Sequence, residues 1–424
     1  MPDDDHHPPG LTPKPVHVFY GGAHLYTPET PRKLARLARQ ALDTHAPDPA
    51  AFAEAFALGP DALERASRAR DAVRRKLDAS PIEDHRIDFE DGFGVRTDAE
   101  EDEAAEHAGR AIAETRRAAP ADADAPRLGI RIRACHARTR ARALRTLERC
   151  ITALVRAADA PPPPGFVVTL PKVRTPSEVA TLADELDRLD RDLAIPAPPG
   201  GDAPAIAIEL LIETPPALAR PGAIDAWIRA ARGRARSLHL GPYDLLAALR
   251  VPGDEADLHH PFCDAARLAM LAEAAEHRLD VIDGPTKALP VGPGRPAIHQ
   301  GWRRHAHDIR RSRSLGLHAG WDLHPNQLVS RHAANWLLAD AAFDDAARRL
   351  RGFFQQAARA SRVGERFDDA SSAQTLITTV ARALWCGART EDAIEQAVGL
   401  PARTILTQPF EHIARTATPP SDPA

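Results

Sequence analysis

Acidic side chains recur at the ends of short apolar runs in this sequence, and their types suit metal-assisted acid–base chemistry. Asp88 and Glu90 are two residues apart, so on an extended strand they share one face. A carboxylate pair that faces inward is costly without a cation. Glu213 directly follows the apolar run 205–212. Its carboxylate is expected to be partly desolvated there and therefore to need a metal ion or an arginine as its partner. Oxygen ligands of this kind favour a hard ion such as Mg²⁺, for which Mn²⁺ is an expected substitute.

Several of these charged residues also have a plainer interpretation, which the pattern alone leaves open. An acid at a strand end is often the N-cap of the next helix, and that role suits Asp91 and Asp283 equally well. Lys172, taken alone, is interpreted as a solvated loop cation. Arg133 is harder to explain in this way, since an arginine that points into a barrel requires a carboxylate or phosphate partner.

Eight short apolar runs alternate with amphipathic stretches of helical period along the chain. The runs cover residues 17–20, 86–90, 128–133, 166–170, 206–212, 237–240, 279–282 and 317–321. Alternating strands and helices imply a parallel sheet, and eight such units predict an α/β fold, a (β/α)8 TIM barrel, rather than an open doubly wound sheet. In a barrel, functional side chains come from the C-terminal ends of the strands, so we expect the candidate residues at one mouth.

The chain after the eighth run contains helical patterns and no further strand signal. We therefore predict a flexible N-terminal segment 1–16, a TIM-barrel catalytic domain 17–338 and a C-terminal helical extension 339–424. The C-terminal helices must bury their apolar stripe, against the barrel mouth or a neighbouring subunit. The side chains expected in that contact are Trp336, Leu337, Phe353 and Phe354.

Composition and charge exclude several classes of partner. Hydrophobic residues make up 43% of the chain and charged residues 27%, as in soluble globular proteins. With a net charge of -4, the chain has no excess of positive charge with which to bind nucleic acid or an anionic membrane. No apolar run approaches the ~20 residues that are needed to span a bilayer. The four cysteines form no CxxC pair, and residues 1–10 lack an apolar leader. A cytoplasmic protein with a small-molecule partner is expected.

Six short motifs resemble those of the HpcH/HpaI aldolase and citrate lyase beta-subunit superfamily, in that family's order. They are Asp88–Asp91 (DFED), Arg131–Arg133 (RIR), Leu170–Val173 (LPKV), Ile212–Thr214 (IET), Leu240–Leu245 (LGPYDL) and Leu323–Gln327 (LHPNQ). The resemblance implies a magnesium-dependent carbon–carbon lyase or aldolase on a TIM barrel. Its substrate would be a small 2-oxo acid or a related molecule, converted through an enolate that the metal stabilises.

Carried over to this sequence, the resemblance assigns roles to individual residues. It implies that Glu213 and Asp244 bind Mg²⁺ and that Arg133 holds the carbonyl oxygen of the substrate. The other candidate catalytic residues are Asp88, Glu90 and Lys172. The first two would bind metal-linked water or take part in proton transfer. The superfamily commonly forms oligomers with exchanged C-terminal helices, so the resemblance also implies a homo-oligomer.

Departures from the family pattern keep other functions open. Coenzyme A lyases of the family often carry Asn after the arginine of the third strand, where this sequence has Ala134. The Pro- and Gly-rich segment 284–299 is an addition to the minimal barrel of the family. An acyl-CoA thioester lyase of the citramalyl- or malyl-CoA kind is the alternative among enzymes. Its candidate phosphate-binding residues are Arg303, Arg304, Arg310 and Arg311. A non-catalytic binding or regulatory barrel is the other alternative, suggested by two short helical patterns that meet at Gly399.

Overall fold

The computed structural model describes residues 13–118, 126–197, 204–363, 370–408 and 413, and eight parallel strands in it form a closed barrel. The strands are β1 (His17–Gly22), β2 (Asp84–Asp88), β3 (Arg127–Arg131), β4 (Val167–Leu170), β5 (Ala207–Ile212), β6 (Ala235–Leu240), β7 (Asp280–Asp283) and β8 (Ala319–Asp322). Each strand pairs with the next one along the chain, and β8 pairs with β1. The predicted TIM barrel is therefore confirmed. Two strand ends differ from the predictions in a way that matters for the site, since β2 ends at Asp88 and β3 at Arg131.

Helices connect the strands and continue after β8, as the alternating pattern predicted. They are α1 (Thr30–His45), α2 (Pro49–Ala55), α3 (Leu63–Ala79), α4 (Asp98–Ala118), α5 (Arg140–Ala158), α6 (Pro176–Asp192), α7 (Pro216–Ala219), α8 (Ala223–Ala230), α9 (Pro242–Ala248), α10 (Pro261–His277), α11 (Gly294–Ser314), α12 (Pro325–Val363), α13 (Ala370–Trp385), α14 (Glu391–Val398) and α15 (Ala402–Thr407). None of the helices in the described part of the chain is long and apolar enough to cross a bilayer.

Residues on both faces of the strands are buried, which accounts for the nearly continuous apolar runs in the sequence. The larger core includes Ile87, Ile130 and Val168, and many apolar side chains of the helices belong to the same cluster. A smaller cluster is drawn from β1, β5, β7 and β8. Its members are Val18, Tyr20, Leu211, Ile282, Ala319 and Trp321. These positions alternate along their strands with residues of the opposite face, so they line one side of the barrel interior.

A buried ion pair joins β2 to β5 in the rest of the interior. The guanidinium of Arg86 donates to both carboxylate oxygens of Glu209, at 2.7 and 2.6 Å, and it also pairs with Asp84. The hydroxyls of Thr169 and Ser237 donate to Glu209 at 2.6 and 3.0 Å. Burial raises the pKa of Glu209, but the Arg86 charge outweighs it and holds that pKa well below its usual range. The barrel interior therefore contains a buried charge cluster in which one guanidinium pairs with two carboxylates.

A second buried carboxylate lies at the end of β8, on the face opposite to Trp321. Asp322 is fully buried, accepts from Arg331 at 2.9 Å, and lies 3.0 Å from Nδ1 of His17. His17 Nε2 in turn accepts from the backbone N–H of Glu83 at 3.0 Å. These contacts connect β8 with β1 and with the start of α12. Asp322 therefore stabilises the junction of β8 and β1, where the barrel closes.

The chain divides into two compact units. The first comprises Pro15–Leu58 and Arg75–Arg331 and contains the whole barrel, and the second comprises Met1–Lys14, Gly59–Arg74 and His332–Ala424. Within the second unit, Asp340 pairs with Arg65 and Arg389, and Trp336 donates to the carbonyl oxygen of Gly387. The sequence pattern did not assign residues 59–74 to this helical unit. Residues 1–12 of the predicted flexible segment lie outside the described residues, and the predicted boundaries at 16 and 338 stay predictions.

We predict that Glu209→Ala strongly destabilises the barrel because it leaves Arg86 partly unpaired in a buried site. The free energy of unfolding in urea should fall by about 3–5 kcal/mol. The matched control is Arg39→Ala, which breaks an ion pair with Asp78 whose side chains are 42% and 50% exposed. That change should cost at most about 1 kcal/mol. Equal losses in the two variants would contradict a structural role for the buried pair.

Candidate active site

Charged side chains from five consecutive strand ends meet at the C-terminal mouth of the barrel. Five of them are carboxylates and two are cations: Asp88, Glu90, Asp91, Glu213, Asp244, Arg131 and Lys172. The sequence predicted Asp88 and Glu90 at the end of β2, the lysine after β4 and the acids after β5 and β6 as site residues, but not Asp91 or Arg131. Their contacts show that these residues form one electrostatic cluster with an excess of negative charge.

Asp88 holds Arg131 in a bidentate ion pair. Its two carboxylate oxygens accept from Nε and Nη2 of Arg131, at 2.6 and 2.5 Å. The same oxygens accept from the backbone N–H groups of Glu90 and Gly92, at 2.9 and 2.7 Å. A carboxylate has about four acceptor positions, so Asp88 is fully engaged. In this arrangement it orients Arg131.

Arg131 lies against two aromatic rings of the barrel interior. Its guanidinium carbon is 5.2 Å from the ring centre of Tyr20 and 5.7 Å from that of Trp321, and those two rings stack at 4.1 Å. Burial opposes the positive charge of Arg131, but Asp88 outweighs it and raises the pKa of the guanidinium. The free edge of the guanidinium faces Glu90 at 3.5 Å. Arg131 is therefore a fixed cation at the mouth.

The prediction that Arg133 points into the barrel is wrong. Its Nε donates to Glu101 on α4 at 2.9 Å, and its Nη2 donates to the carbonyl oxygen of Gly94. Alternate residues share a face only while a strand continues, and β3 ends at Arg131. Of the two arginines in the RIR motif, the structure brings Arg131 into the cluster and leaves Arg133 beside α4.

A chain of hydrogen bonds supports the Tyr20 ring from below. The Tyr20 hydroxyl lies 3.2 Å from Nδ1 of His239, and His239 Nε2 lies 3.0 Å from the hydroxyl of Ser237. Because Ser237 donates to Glu209, it accepts from His239, which leaves Nδ1 of His239 to accept from Tyr20. The chain thus links the aromatic floor under Arg131 to the buried ion pair of the interior. Neither Tyr20 nor His239 was a sequence candidate.

Lys172 is the centre of the acidic cluster rather than a solvated loop cation. Its Nζ contacts Glu90, lies 3.2 Å from Asp91, and lies 3.5 Å from Asp244. Its backbone N–H donates to Glu213 at 2.6 Å, from a residue in the left-handed region with φ of 54°. Burial opposes the ammonium charge, but Glu90 and its neighbours raise the pKa of Lys172.

Glu213 and Asp244 follow the neighbouring strands β5 and β6. Glu213 is only 2% exposed, and burial, with the nearby charge of Asp244, raises its pKa to about 8. Asp244 lies in the first turn of α9 with a half-exposed side chain. Gly241 separates them, and a Cβ at that position would overlap Oε2 of Glu213. A buried acid that is repelled by a second acid has the donor chemistry that a divalent cation requires.

A second group of potential ligands lies on the helices α8 and α10. Ligand atoms of Asp225, Glu273 and His277 lie within 4.8 Å of one another, and all three residues are partly buried. Asp225 already pairs with Arg229 at 2.9 Å and with His277 at 2.8 Å. This group was not predicted from the sequence, and its residues come from helices rather than from strand ends.

Solved structures that are similar to this chain include a citrate lyase, a malate synthase and a CitE protein. A citrate lyase from Burkholderia xenovorans is 20% identical, with 92% of this chain and 98% of that chain covered at a TM-score of 0.52. A Haloferax volcanii malate synthase with magnesium and glyoxylate is 14% identical, with 95% and 98% covered at a TM-score of 0.48. A Mycobacterium tuberculosis CitE protein with magnesium, acetoacetate and coenzyme A is 15% identical, with 89% and 98% covered at 0.41.

The likeness to the citrate lyase structure confirms, at the level of the fold, the resemblance that the six motifs indicated. A search of curated protein sequences finds no match. One family matches nearly the whole chain, over residues 5–413. The chain therefore belongs to the family described as a domain of unknown function, DUF6986.

Proposed function

We propose that this protein is a magnesium-dependent carbon–carbon lyase or aldolase that forms an enolate from a small 2-oxo acid. The observation that carries the proposal is the mouth cluster, in which five carboxylates surround only the two cations Arg131 and Lys172. The fold is that of a protein solved as a citrate lyase, which is consistent with this chemistry.

Glu213 and Asp244 would hold the metal ion. Magnesium takes one or two carboxylates in such sites and keeps its other positions for water and substrate oxygens. When bound, Mg²⁺ supplies Lewis-acid polarisation of the substrate carbonyl. Lys172 would then share Asp244 with the ion, since its Nζ lies 3.5 Å from that carboxylate.

Arg131 takes the role that the family resemblance gave to Arg133. As the carbon–carbon bond breaks, its electron pair forms the carbon–carbon double bond of the enolate, and the π electrons of the carbonyl group move onto its oxygen. A fixed positive charge nearby stabilises that oxygen. Asp88 holds the guanidinium from one edge, and the Tyr20 and Trp321 rings support its face. The geometry is set before the substrate arrives, which is the condition for efficient electrostatic stabilisation.

Glu90 is the proposed proton-transfer group. Burial raises its pKa, against the opposing effect of Arg131. An acid with a raised pKa suits general acid–base catalysis near neutral pH. Glu90 would take the proton of the substrate hydroxyl during cleavage, and the neighbouring Lys172 ammonium would stabilise the carboxylate before that transfer.

The contacts of α11 weaken the acyl-CoA alternative. Arg304 pairs with Asp257 and Asp308, Arg311 pairs with Asp264, and Arg303 donates to the carbonyl oxygen of Glu54. Three of the four candidate guanidinium groups are thus engaged within the protein, which argues against a cradle for nucleotide phosphates on this helix. The converging charges at the mouth also favour catalysis over a purely regulatory barrel. Homo-oligomer formation and cytoplasmic localisation stay predictions.

Enolate formation provides a test that does not require the natural substrate. In D₂O with Mg²⁺, the enzyme should exchange the methyl protons of pyruvate for deuterium, followed by proton NMR. Exchange of the acetyl-CoA methyl group, but not of pyruvate, would favour the thioester alternative instead. Loss of exchange when EDTA removes the metal is the expected control. Absence of exchange in pyruvate, longer 2-oxo acids and acetyl-CoA would overturn the proposal.

We predict that Glu213→Ala and Asp244→Ala each abolish tight Mn²⁺ binding in calorimetric titration, because two carboxylates are the whole protein contribution to the site. The control is Asp225→Ala, which removes a ligand of the group on α8 and α10. That variant should bind Mn²⁺ at the mouth as the wild type does. Unchanged affinity in the first two variants, with loss in the third, would place the ion on the helices instead.

We predict that Arg131→Lys lowers the rate of methyl-proton exchange by about 100-fold or more, since lysine keeps the charge but loses the fork that Asp88 holds. Arg133→Lys is the matched control from the same motif, and it should leave the rate within a few-fold of wild type. Mn²⁺ affinity should be similar in both variants. A larger loss for Arg133→Lys would return the role to that residue.

We predict that Glu213→Gln stabilises the metal-free protein at alkaline pH. The folded-state pKa of Glu213, about 8, lies above the ordinary value of 4.5, so the native state holds a proton that the unfolded chain releases. Wild-type stability should therefore fall between these two pH values, by on the order of a few kcal/mol. The Gln variant lacks this fall. The free energy of unfolding in urea with EDTA, measured as a function of pH, tests this difference. Glu54→Gln, at an exposed glutamate of α2, is the control and should behave as the wild type does. Parallel pH profiles for all three proteins would refute the prediction.

A further inference from the structure

The two proposed metal ligands both depend on one residue of the loop after β4. Among the hydrogen bonds and ion pairs of the described residues, the carboxylates of Glu213 and Asp244 each have one, and both are with Lys172. The backbone N–H of Lys172 donates to Glu213 at 2.6 Å, and its Nζ lies 3.5 Å from Asp244. Lys172 therefore holds the two acids through two different groups, one in its backbone and one in its side chain.

The backbone of Lys172 is fixed in the conformation that this contact needs. Its φ of 54° lies in the left-handed region, which is unfavourable for a residue with a side chain. The Thr214 hydroxyl donates to the carbonyl oxygen of the next residue, Val173, and so ties the segment to the end of β5. Strained conformations persist where the surrounding structure over-determines them, and they concentrate at functional sites. The N–H of Lys172 is therefore directed at Glu213 before any ion is present.

The ammonium group of Lys172 lies among several carboxylates. Besides its position near Asp244, Nζ contacts Glu90 and lies 3.2 Å from Asp91. The side chain is only 26% exposed, so water and salt screen these charges less than they do at the surface. Arg131, the other cation of the cluster, forms no ion pair with Asp244 in the described part of the chain. Lys172 is thus the cation that neutralises the Asp244 side of the mouth.

A divalent ion at Asp244 would meet this ammonium at close range. The ion and the ammonium would share one carboxylate, and like charges a few ångströms apart in a partly buried site repel each other strongly. The same lysine therefore has two opposing effects on metal binding. It favours binding because it holds the ligands in place, and it opposes binding because of its charge.

We propose that Lys172 is a built-in counter-cation of the metal site, which keeps Glu213 and Asp244 in position in the metal-free protein and limits their affinity for the ion. The inference rests on the proposed function, because it takes these two acids as the metal ligands. Metal binding then weakens the contact between the ammonium and Asp244, while Nζ keeps Glu90 and Asp91 as its other partners. The site is thus assembled before the ion arrives, and the ion is held reversibly.

Replacement of the ammonium by a neutral group of similar length tests the effect of the charge. In calorimetric titration of the full-length protein without substrate, Lys172→Met should bind Mn²⁺ about tenfold tighter than the wild type, because one like charge is removed. Lys172→Arg keeps the charge and should stay within a few-fold of the wild type. Lys33→Met, at an exposed lysine of α1, is the control and should leave the affinity unchanged. Unchanged or weaker binding by Lys172→Met would overturn the proposal.

Two further variants separate the backbone of Lys172 from its charge. Glycine adopts a positive φ without strain, so Lys172→Gly removes the ammonium and keeps the N–H directed at Glu213. This variant should also bind Mn²⁺ tighter than the wild type, and it replaces Lys172→Met if that protein does not fold. Valine disfavours the left-handed region, so Lys172→Val should bind Mn²⁺ more weakly than Lys172→Gly. Equal affinities of these two neutral variants would overturn the role of the backbone.

The melting temperature in EDTA measures the role of Lys172 without any ion. Lys172→Met should melt below the wild type, since the acids of the mouth then have Arg131 as their one remaining cation among the described residues. Saturating Mn²⁺ should raise its melting temperature by more than that of the wild type. Equal melting temperatures of the two proteins in EDTA would overturn the proposal that Lys172 holds the empty site together.

The titrations also separate failure of this inference from failure of the proposed function. If the wild type binds Mn²⁺ through Glu213 and Asp244 and Lys172→Met binds it no tighter, the counter-cation role falls and the metal site stands. If neither protein binds Mn²⁺, the metal site of the proposed function falls, and this inference falls with it.

Discussion

The ion pair between Arg86 and Glu209 places opposite charges from β2 and β5 in the same buried interior. Charges cannot be left unpaired there, because the cost of desolvation is recovered only by close, well-oriented partners. Thr169, Ser237 and Asp84 complete the hydrogen bonding of the pair. His239 then extends the network to Tyr20, and Tyr20 supports Arg131. The position of the cation at the mouth thus depends on charge pairing in the layer below it.

The balance of acidic and basic side chains at the mouth differs from that in the interior. In the interior Arg86 pairs with both Glu209 and Asp84, and Arg331 pairs with Asp322, whereas at the mouth five acids surround Arg131 and Lys172. Burial raises the pKa of Glu213, and the nearby charge of Asp244 raises it further. A folded protein retains such an arrangement at a cost in stability, and functional sites are where perturbed acids of this kind concentrate. The barrel therefore combines an interior in which buried acids pair with arginines and a mouth in which acids are in excess.

Much of this arrangement could be predicted from the sequence, because apolar periodicity fixes strands and a barrel fixes where their ends meet. The acids after β2, β5 and β6 and the lysine after β4 lie at the mouth for that reason. Arg133 was misplaced because periodicity does not show where a strand stops, and β3 stops two residues earlier. Tyr20 and His239 were missed because a single aromatic or histidine within an apolar run gives no signal of a partner across the barrel. Residues 59–74 joined the helical unit through contacts that are distant in sequence.

Gly241 has no side chain, and this absence allows the carboxylate of Glu213 to occupy its place. Its hydrogen stands where any side chain would overlap the carboxylate. The proposed metal site therefore needs this glycine as well as the two acids. A sequence that keeps both acids but replaces this glycine has lost the space for the carboxylate between β5 and α9. The glycine is therefore a requirement of the proposed site that comparing the charged residues alone would not reveal.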